Sequence, residues 1–150
     1  MATKIEKIEI LLVCDAEEEI NGLLEALREI DFDYSINVIS THEVHSMLIN
    51  KQASVPPRLI ITCLTTGDED QLSLLDRIRN YKTYDKTTLI IISKSTDPDI
   101  VNRTLSSGGN IFISKPRTKQ ALAEVLLKVF KSHFSYAEHG FDRSAYYLKL

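Results

Sequence analysis

Several chemically active side chains stand directly after apolar runs of the sequence, where strands would end. They are Cys14, Asp15, Cys63, Ser93 and Lys115. Two thiols could form a redox pair if the fold brings them together. A carboxylate, a hydroxyl group and an ammonium group are components from which polar binding sites are built. What these side chains do therefore depends on whether the elements that carry them end at one place.

Five apolar runs predict the strands of a sheet. They cover Ile8–Val13, Tyr34–Ile39, Leu59–Ile61 with its continuation to Leu64, Thr88–Ile92 and Asn110–Ser114. Four of the runs are apolar almost throughout, which is typical of strands buried on both faces. The run at Tyr34–Ile39 alternates between apolar and polar residues, so we expect it at an edge of the sheet.

Amphipathic helices are predicted between and after these strands. The first runs from about Ala16 to Ile30, and a short second helix follows a cap at Ser40 or Thr41. The third runs from an acidic loop to Arg79, the fourth from Pro98 towards Gly108, and the fifth from about Thr118 to His133. Strands that alternate with crossover helices predict an α/β fold with a parallel sheet and helices on both faces. Right-handed crossovers favour the flavodoxin-like, doubly wound order 2-1-3-4-5, in which strands one, three, four and five end around one crevice.

Three segments of the sequence resemble a known family: LLVCDAEEE, PRLIITCLTTGDEDQLSLLDRIR and SKSTDPDIVNRTLSSGGNIFISKP. They are similar to the CheY-like receiver domain of response regulators, and the resemblance covers about Ile5 to His133. It implies a single-domain signalling module of a two-component, or phosphorelay, system. It also implies a protein partner, such as a histidine kinase, a phosphotransfer protein or another signalling protein, and leaves a homodimer open.

The resemblance assigns roles to four positions. Receivers carry two acids after the first strand and a phospho-accepting aspartate at the end of the third. A hydroxyl residue ends their fourth strand and a lysine ends their fifth. By resemblance, Asp15 matches the second acid, Ser93 the hydroxyl residue and Lys115 the lysine. Phe112 falls at the aromatic switch position of the family.

Two cysteines depart from this pattern at its most important positions. Cys14 replaces the first acid, and Cys63 stands where the phospho-acceptor should be. A thiol is mostly neutral at pH 7 and is a poor ligand for Mg²⁺. We therefore predict a degenerate phospho-acceptor pocket in a pseudo-receiver, with weak or absent Mg²⁺ binding and no cofactor. We also expect no enzymatic activity and no dependence on phosphorylation.

The same residues leave two alternatives open. Cys14 and Cys63 are predicted to end neighbouring strands, so they are either a thiol or redox sensor or two small residues that fill space. Facing positions on adjacent strands impose awkward disulfide geometry, which favours the second alternative. Lys115 is expected either to pair with Asp15 or to reach solvent.

The composition excludes several other classes of function. A net charge of -3 argues against a nucleic-acid-binding surface, which needs clustered lysine and arginine. No apolar run approaches the roughly 20 residues of a membrane-spanning helix. The N-terminal residues lack a leader-like pattern. We therefore expect a cytoplasmic protein with reduced thiols and no contact with membranes.

Protein contacts are expected on two parts of the chain. The resemblance implies a contact face on the fourth helix, fifth strand and fifth helix. That face would include Asn102, Phe112 and Gln120 or their neighbours. Beyond a receiver-like domain predicted over residues 1–133, the extension 134–150 is rich in aromatic residues, unlike a disordered tail. It either packs back on the domain or meets a partner or a second copy as an added strand. The alternating residues of that strand would be Tyr146, Leu148 and Leu150.

Overall fold

A six-stranded parallel sheet forms the centre of the computed structural model, which describes residues 8–30, 33–49, 57–64, 69–95, 97–139 and 146–148. Its strands are β1 (Ile8–Val13), β2 (Tyr34–Ile39), β3 (Leu59–Leu64), β4 (Thr88–Ser93), β5 (Ile111–Ser114) and β6 (Tyr146–Leu148). They lie in the order β2-β1-β3-β4-β5-β6, and neighbouring strands are parallel. The first five strands confirm the predicted order 2-1-3-4-5, with β2 at an edge.

In the described part of the chain, five α-helices follow the first five strands. They are α1 (Glu17–Arg28), α2 (Thr41–Ile49), α3 (Glu69–Arg79), α4 (Pro98–Ser106) and α5 (Lys119–His139). Asp97 caps α4, and its side chain accepts a hydrogen bond from the Asp99 N–H. α5 continues past the predicted end at His133 because the segment that follows contains neither glycine nor proline, and Gly140 is the first residue that favours a helix end.

Both faces of the sheet are apolar, and helices cover each of them. Side chains alternate along every strand between the two faces. One face packs against α1 and α5, where the buried residues include Leu12, Ile61, Ile113, Leu27 and Leu126. The other packs against α2, α3 and α4, where they include Val13, Ile60, Ile91, Val44 and Leu75. Burial on both faces explains why these strands are continuous apolar runs in the sequence.

The sixth strand comes from the aromatic C-terminal extension. β6 pairs in parallel with β5, and Tyr147 lies opposite Phe112. Of the two alternatives for this segment, the structure therefore favours packing back on the chain's own sheet, while Leu150 lies outside the described residues. Since β5 lies between β4 and β6, the edges of the described sheet are β2 and β6.

A set of hydrogen bonds around Arg79, here called the Arg79 cluster, joins three elements at the end of the sheet opposite the carboxyl ends of the strands. Arg79, at the end of α3, donates from Nε to the Gly108 carbonyl oxygen at 2.9 Å and from Nη1 to the Tyr84 carbonyl oxygen at 2.7 Å. Its Nη2 donates to Asn110 Oδ1 at 2.6 Å, and the same oxygen accepts the Leu89 N–H at 2.8 Å. Gly108 has a φ of 107°, and a Cβ there would lie 2.3 Å from Arg79 Cγ, so this position needs glycine.

Replacement of Asn110 by alanine should lower the free energy of unfolding by about 2 kcal/mol, because Arg79 and the Leu89 N–H then lose a shared buried acceptor. The measurement is urea unfolding followed by circular dichroism. Asn102→Ala is the matched control, since Asn102 is exposed on α4 and should change stability little. Equal stabilities of the two variants would contradict the structural importance of the Arg79 cluster.

Removal of residues 140–150 deletes β6 and should lower the melting temperature by several degrees. The backbone groups of β5 along that edge lose their partners, and the edge becomes exposed. Thermal unfolding of the full and shortened chains measures the effect, with size-exclusion chromatography to follow self-association. Removal of Lys149 and Leu150 alone is the control because it leaves β6 in place. If the longer deletion left the melting curve unchanged, this result would argue against any stabilisation by β6.

Candidate functional site

A cleft of about 310 Å³ opens at the carboxyl ends of the central strands, beside the start of α1. Its lining combines the first turn of that helix with residues at or just after the ends of β3, β4 and β5. The charged and thiol groups of this lining are Glu17, Glu18, Glu19, Cys63, Lys94 and Lys115. The cleft occupies the place where open parallel sheets bind their ligands, and it is the crevice that the strand order predicts.

Cys14 and Cys63 lie next to each other at the ends of β1 and β3. The two strands are in register up to Val13 and Thr62, and the cysteines are the next residues along each chain segment. A hydrogen bond between the two thiols is the largest cause of the pKa shifts of both. Cys14 Sγ in turn donates to the Ala16 carbonyl oxygen over 3.6 Å. Both thiols are buried, so they form one chain of hydrogen bonds under the cleft.

This hydrogen bond makes the two thiols differ in acidity. It lowers the pKa of the Cys14 thiol, against the opposing effect of burial, because a donor stabilises the thiolate. It raises the pKa of Cys63 far above that of an ordinary thiol, and burial adds to the increase, because Cys63 must keep its proton to donate. The pair therefore loses one proton more easily than an isolated thiol and the second with much greater difficulty.

Asp15 turns away from the cleft and binds the start of α2. Its Oδ1 accepts the Thr41 N–H at 2.8 Å, and its Oδ2 accepts the Thr41 hydroxyl at 2.5 Å. Ser40 completes this helix start, since its hydroxyl accepts the Glu43 N–H while the Glu43 carboxylate accepts the Ser40 N–H. In this structure the Asp15 carboxylate is therefore engaged in anchoring α2.

Lys115 pairs with Glu19, from the first turn of α1, and not with Asp15 or solvent. Lys115 Nζ donates to Glu19 Oε2, while Lys94 Nζ lies 3.4 Å from Glu19 Oε1. The expectation that Lys115 pairs with Asp15 or reaches solvent is wrong. Glu19 was not among the predicted site residues, because acidic residues in the first turn of a helix are ordinarily explained by the helix dipole. The sequence did contain a signal for Glu19, because the first turn of the helix that follows β1 must lie at the carboxyl ends of the strands.

The ion pair keeps Glu19 ionised. Burial tends to raise the pKa of this carboxyl, but the hydrogen bond and charge of Lys115, with a contribution from Lys94, outweigh burial and lower it. The Glu19 side chain is only 15% exposed, whereas that of Lys94 is 77% exposed, so Lys115 is the principal partner. The cleft thus contains a carboxylate and an ammonium group that satisfy each other.

Two further predicted site residues, Ser93 and Phe112, lie outside the group of side chains that line the cleft. Ser93 is buried at the end of β4, and its hydroxyl accepts the Ser95 N–H at 3.1 Å, which shapes the turn that follows. Among the described residues that line the cleft, Ser93 does not occur. Phe112 is completely buried against α2, α3 and α4. The expectation that Phe112 contributes to an exposed contact face is therefore wrong, because alternation along β5 directs this side chain into the core.

The described residues do not fit the magnesium ion that a receiver fold implies. Mg²⁺ requires oxygen ligands in near-octahedral geometry. Two of the three expected carboxylates are the thiols Cys14 and Cys63, and the third, Asp15, is engaged with Thr41. Within the described ranges, no three histidine, cysteine, aspartate or glutamate residues form a group that could hold a metal ion. Chemistry at this cleft therefore has to be derived from its thiols, from Glu19 and from its lysines.

Comparisons with known proteins identify the fold through structure and not through sequence. No protein-family model matches the chain, and no curated protein matches it significantly. The phosphorylated cyanobacterial phytochrome response regulator RcpA has a TM-score of 0.73 at 19% identity, over 87% of this chain and 96% of that chain. The receiver domain of an HD-domain-containing protein from Pseudomonas fluorescens has a TM-score of 0.61 at 24% identity, over 87% and 99%. A response regulator from Thermotoga maritima has a TM-score of 0.67 at 19% identity, also over 87% and 99%.

These similarities establish the class of fold. The chain has the flavodoxin-like fold of a CheY-like response regulator receiver domain, with five parallel strands in the order 2-1-3-4-5, five helices and the additional strand β6. Across the residues that the structure describes, no helix is both long enough and apolar enough to cross a membrane. Because one fold supports many functions, its function has to be argued from the cleft.

Replacement of Glu19 by glutamine should lower the free energy of unfolding at neutral pH by about 1–2 kcal/mol, because Lys115 is left partly buried without its counter-ion. Since the pKa of Glu19 is lowered in the folded protein, the ion pair stabilises the wild type above the ordinary carboxyl pKa of about 4.3. That stabilisation is lost as the pH falls through the lowered folded pKa. Urea unfolding of both proteins over a series of pH values should therefore show curves that converge in acid.

Glu18→Gln is the matched control for this experiment. Glu18 is exposed in the same first turn of α1, so its replacement removes the same favourable interaction with the helix dipole but no cleft ion pair. The control should lose less stability than Glu19→Gln at neutral pH. If the two variants were equally stable at every pH, the ion pair with Lys115 would contribute nothing.

Proposed function

We propose that this protein is a signalling module of the two-component type that acts by protein–protein contact and does not depend on phosphorylation. The observation that carries the proposal is the pairing of Lys115 with Glu19, a carboxylate of the chain itself. The response regulator fold of its structural neighbours supports the broader class of function. The residues at the strand ends support the loss of phosphorylation chemistry.

The first argument concerns the missing nucleophile. Transfer of a phosphoryl group to a receiver requires a carboxylate oxygen at the end of the third strand and a cation that neutralises the transferred group. Cys63 occupies that position as a buried thiol whose pKa is raised. A thiol whose pKa is raised stays protonated and is a poor nucleophile, and the surrounding residues do not fit Mg²⁺.

The second argument concerns the charge of Lys115. A phosphoryl group changes the conformation of a protein only if it binds one state more strongly than another. In this chain, Glu19 already supplies the negative charge that Lys115 requires. A phosphoryl group would have to displace an internal partner that is held at a fixed distance and needs no loss of translational freedom. The domain is therefore expected to maintain one conformation at this cleft without phosphorylation.

The third argument concerns the surface that remains for a partner. Asn102 on α4 and Gln120 on α5 are exposed, as expected for a contact face, whereas Phe112 is not. β6 lies beyond β5, so a partner that approaches between these helices would meet β6 instead of the edge of β5. We infer a protein partner such as a histidine kinase, a phosphotransfer protein or another signalling protein, or a second copy of the chain.

Incubation with acetyl phosphate and Mg²⁺ should leave the intact mass of the protein unchanged, because the strand-end carboxylate is absent. Beryllofluoride with Mg²⁺ should likewise leave the melting temperature unchanged. Mass spectrometry and thermal unfolding provide the two measurements. RcpA, which has been obtained in a phosphorylated form, is the positive control for the reagents. A phosphoryl group that mapped to Cys63 or to any acidic residue of the cleft would refute independence from phosphorylation.

A further inference from the structure

The two cysteines of this chain meet the first geometric requirement of a reversible covalent bond. β1 and β3 are neighbouring parallel strands, and Cys14 and Cys63 follow the last paired residues in register. Neighbouring strands are about 4.8 Å apart. That separation falls within the range of about 4.4–6.8 Å between the Cα atoms of disulfide-bonded cysteines. Facing positions on adjacent strands were expected to be awkward for a disulfide, but the strand spacing keeps the Cα separation within the range that a disulfide spans.

The side chains meet the second requirement, which is that both thiols lie on the same face of the sheet. Alternation along β1 and β3 directs both thiols to the face of the sheet that α1 and α5 cover, and both belong to the core there. The interaction between the two thiols is also the first cause of the pKa shifts of both. The sequence contains two cysteines in all, so neither has a competing partner within the chain. Thiols on one face of neighbouring strands in register need little movement to form a covalent bond.

The cleft meets the third requirement, which is access for a reagent. Cys63 lines the 310 Å³ cleft together with Lys115. A hydroperoxide is small enough to enter a space of this volume, and its leaving oxygen atom can accept a hydrogen bond from an ammonium group. The lowered pKa of the Cys14 thiol adds to these geometric observations, since it is the thiolate that reacts. Cys63 is thus buried from bulk solvent but borders a space that a small oxidant can occupy, and Cys14 lies beside it in the same core.

We propose that Cys14 and Cys63 are a redox site that reacts with hydroperoxides to form an intramolecular disulfide. The thiolate of the pair attacks one peroxide oxygen, the O–O bond breaks, and hydroxide leaves from hydrogen peroxide, which gives a sulfenic acid. The second thiol then attacks the sulfur of the sulfenic acid, an S–S bond forms, and the hydroxyl group leaves as water with the proton of that thiol. In total, two thiols are oxidised and one hydrogen peroxide is reduced to two molecules of water. A dithiol reductant restores the pair by thiol–disulfide exchange.

This site goes beyond the proposed signalling function and does not depend on it. The disulfide would tie the end of β1 to the end of β3 at the base of the cleft. β1 leads directly into the turn of α1 that carries Glu19, the partner of Lys115. Oxidation would therefore act on the same cleft that phosphorylation modifies in receivers, but through sulfur chemistry. The two properties can fail separately, because one is tested with acetyl phosphate and the other with peroxide.

The test treats the reduced full-length protein with hydrogen peroxide, then denatures it and alkylates every thiol that remains free. Mass spectrometry of the intact chain should show alkylation fall from two sites to none. Peptide mapping without reductant should identify a Cys14–Cys63 cross-link, and treatment with dithiothreitol should restore both alkylation sites. The wild-type chain suffices for this measurement, so it does not depend on the folding of a variant.

Matched serine variants identify the chemistry. Cys63→Ser and Cys14→Ser should each fail to form the intramolecular cross-link and should retain a single sulfur that stops at an oxyacid. Hydroxyl replaces thiol at similar volume, and circular dichroism checks that each variant folds. Retention of two alkylation sites in the wild type, at a peroxide dose that oxidises free cysteine in the same tube, would overturn the proposal. Oxidation to sulfinic acids or to disulfide-linked dimers in place of the internal cross-link would overturn it as well.

Discussion

The ion pair between Glu19 and Lys115 determines what the carboxyl end of this sheet can do. It joins the first turn of α1 to the end of β5 and places a permanent negative charge beside the lysine. Burial strengthens the attraction, and separation of the charges would leave each partly desolvated and unpaired. A second anion in the cleft would compete with a partner that belongs to the fold. The presence of thiols at Cys14 and Cys63 is consistent with this arrangement, since the cleft then needs no metal ion to balance charge at these positions.

The rest of the structure supports that cleft from two directions. Asp15 and the hydroxyl of Thr41 fix the start of α2 on one side of β1, so α1 and α2 both begin at the same edge of the sheet. At the opposite end, Arg79 joins α3, the turn before β4 and the turn before β5 through buried carbonyl and amide oxygens. Both ends of the central strands are therefore held by polar contacts around an apolar core. A cleft on such a rigid frame suits a fixed contact surface and a thiol pair at constant separation.

The fold could be predicted from the sequence almost completely, whereas the contacts of the site could not. Continuous apolar runs indicated β1, β3 and β4, and the alternation at Tyr34–Ile39 indicated the edge position of β2. The proximity of Cys14 and Cys63 also followed from the strand order. The partner of Lys115 did not, because Asp15 and Glu19 are both acidic residues near the end of β1 and only side-chain direction separates them. Phe112 was wrongly expected on a contact face, because alternation along β5 directs its side chain into the core.

The sequence by itself determined the properties that depend on local pattern. These are the strands, the helix caps, the strand order and the presence of thiols, where receivers have carboxylates, at two strand ends. The tertiary structure decided which of these groups meet. Lys115 and Glu19 are 96 residues apart in the chain, and Thr41 is 26 residues from the carboxylate that it binds. β6 was likewise one of two alternatives until the sheet supplied a free edge beside β5. Periodicity reports which face a residue occupies, but a charged side chain selects its partner by distance and burial, and only the folded chain defines those quantities.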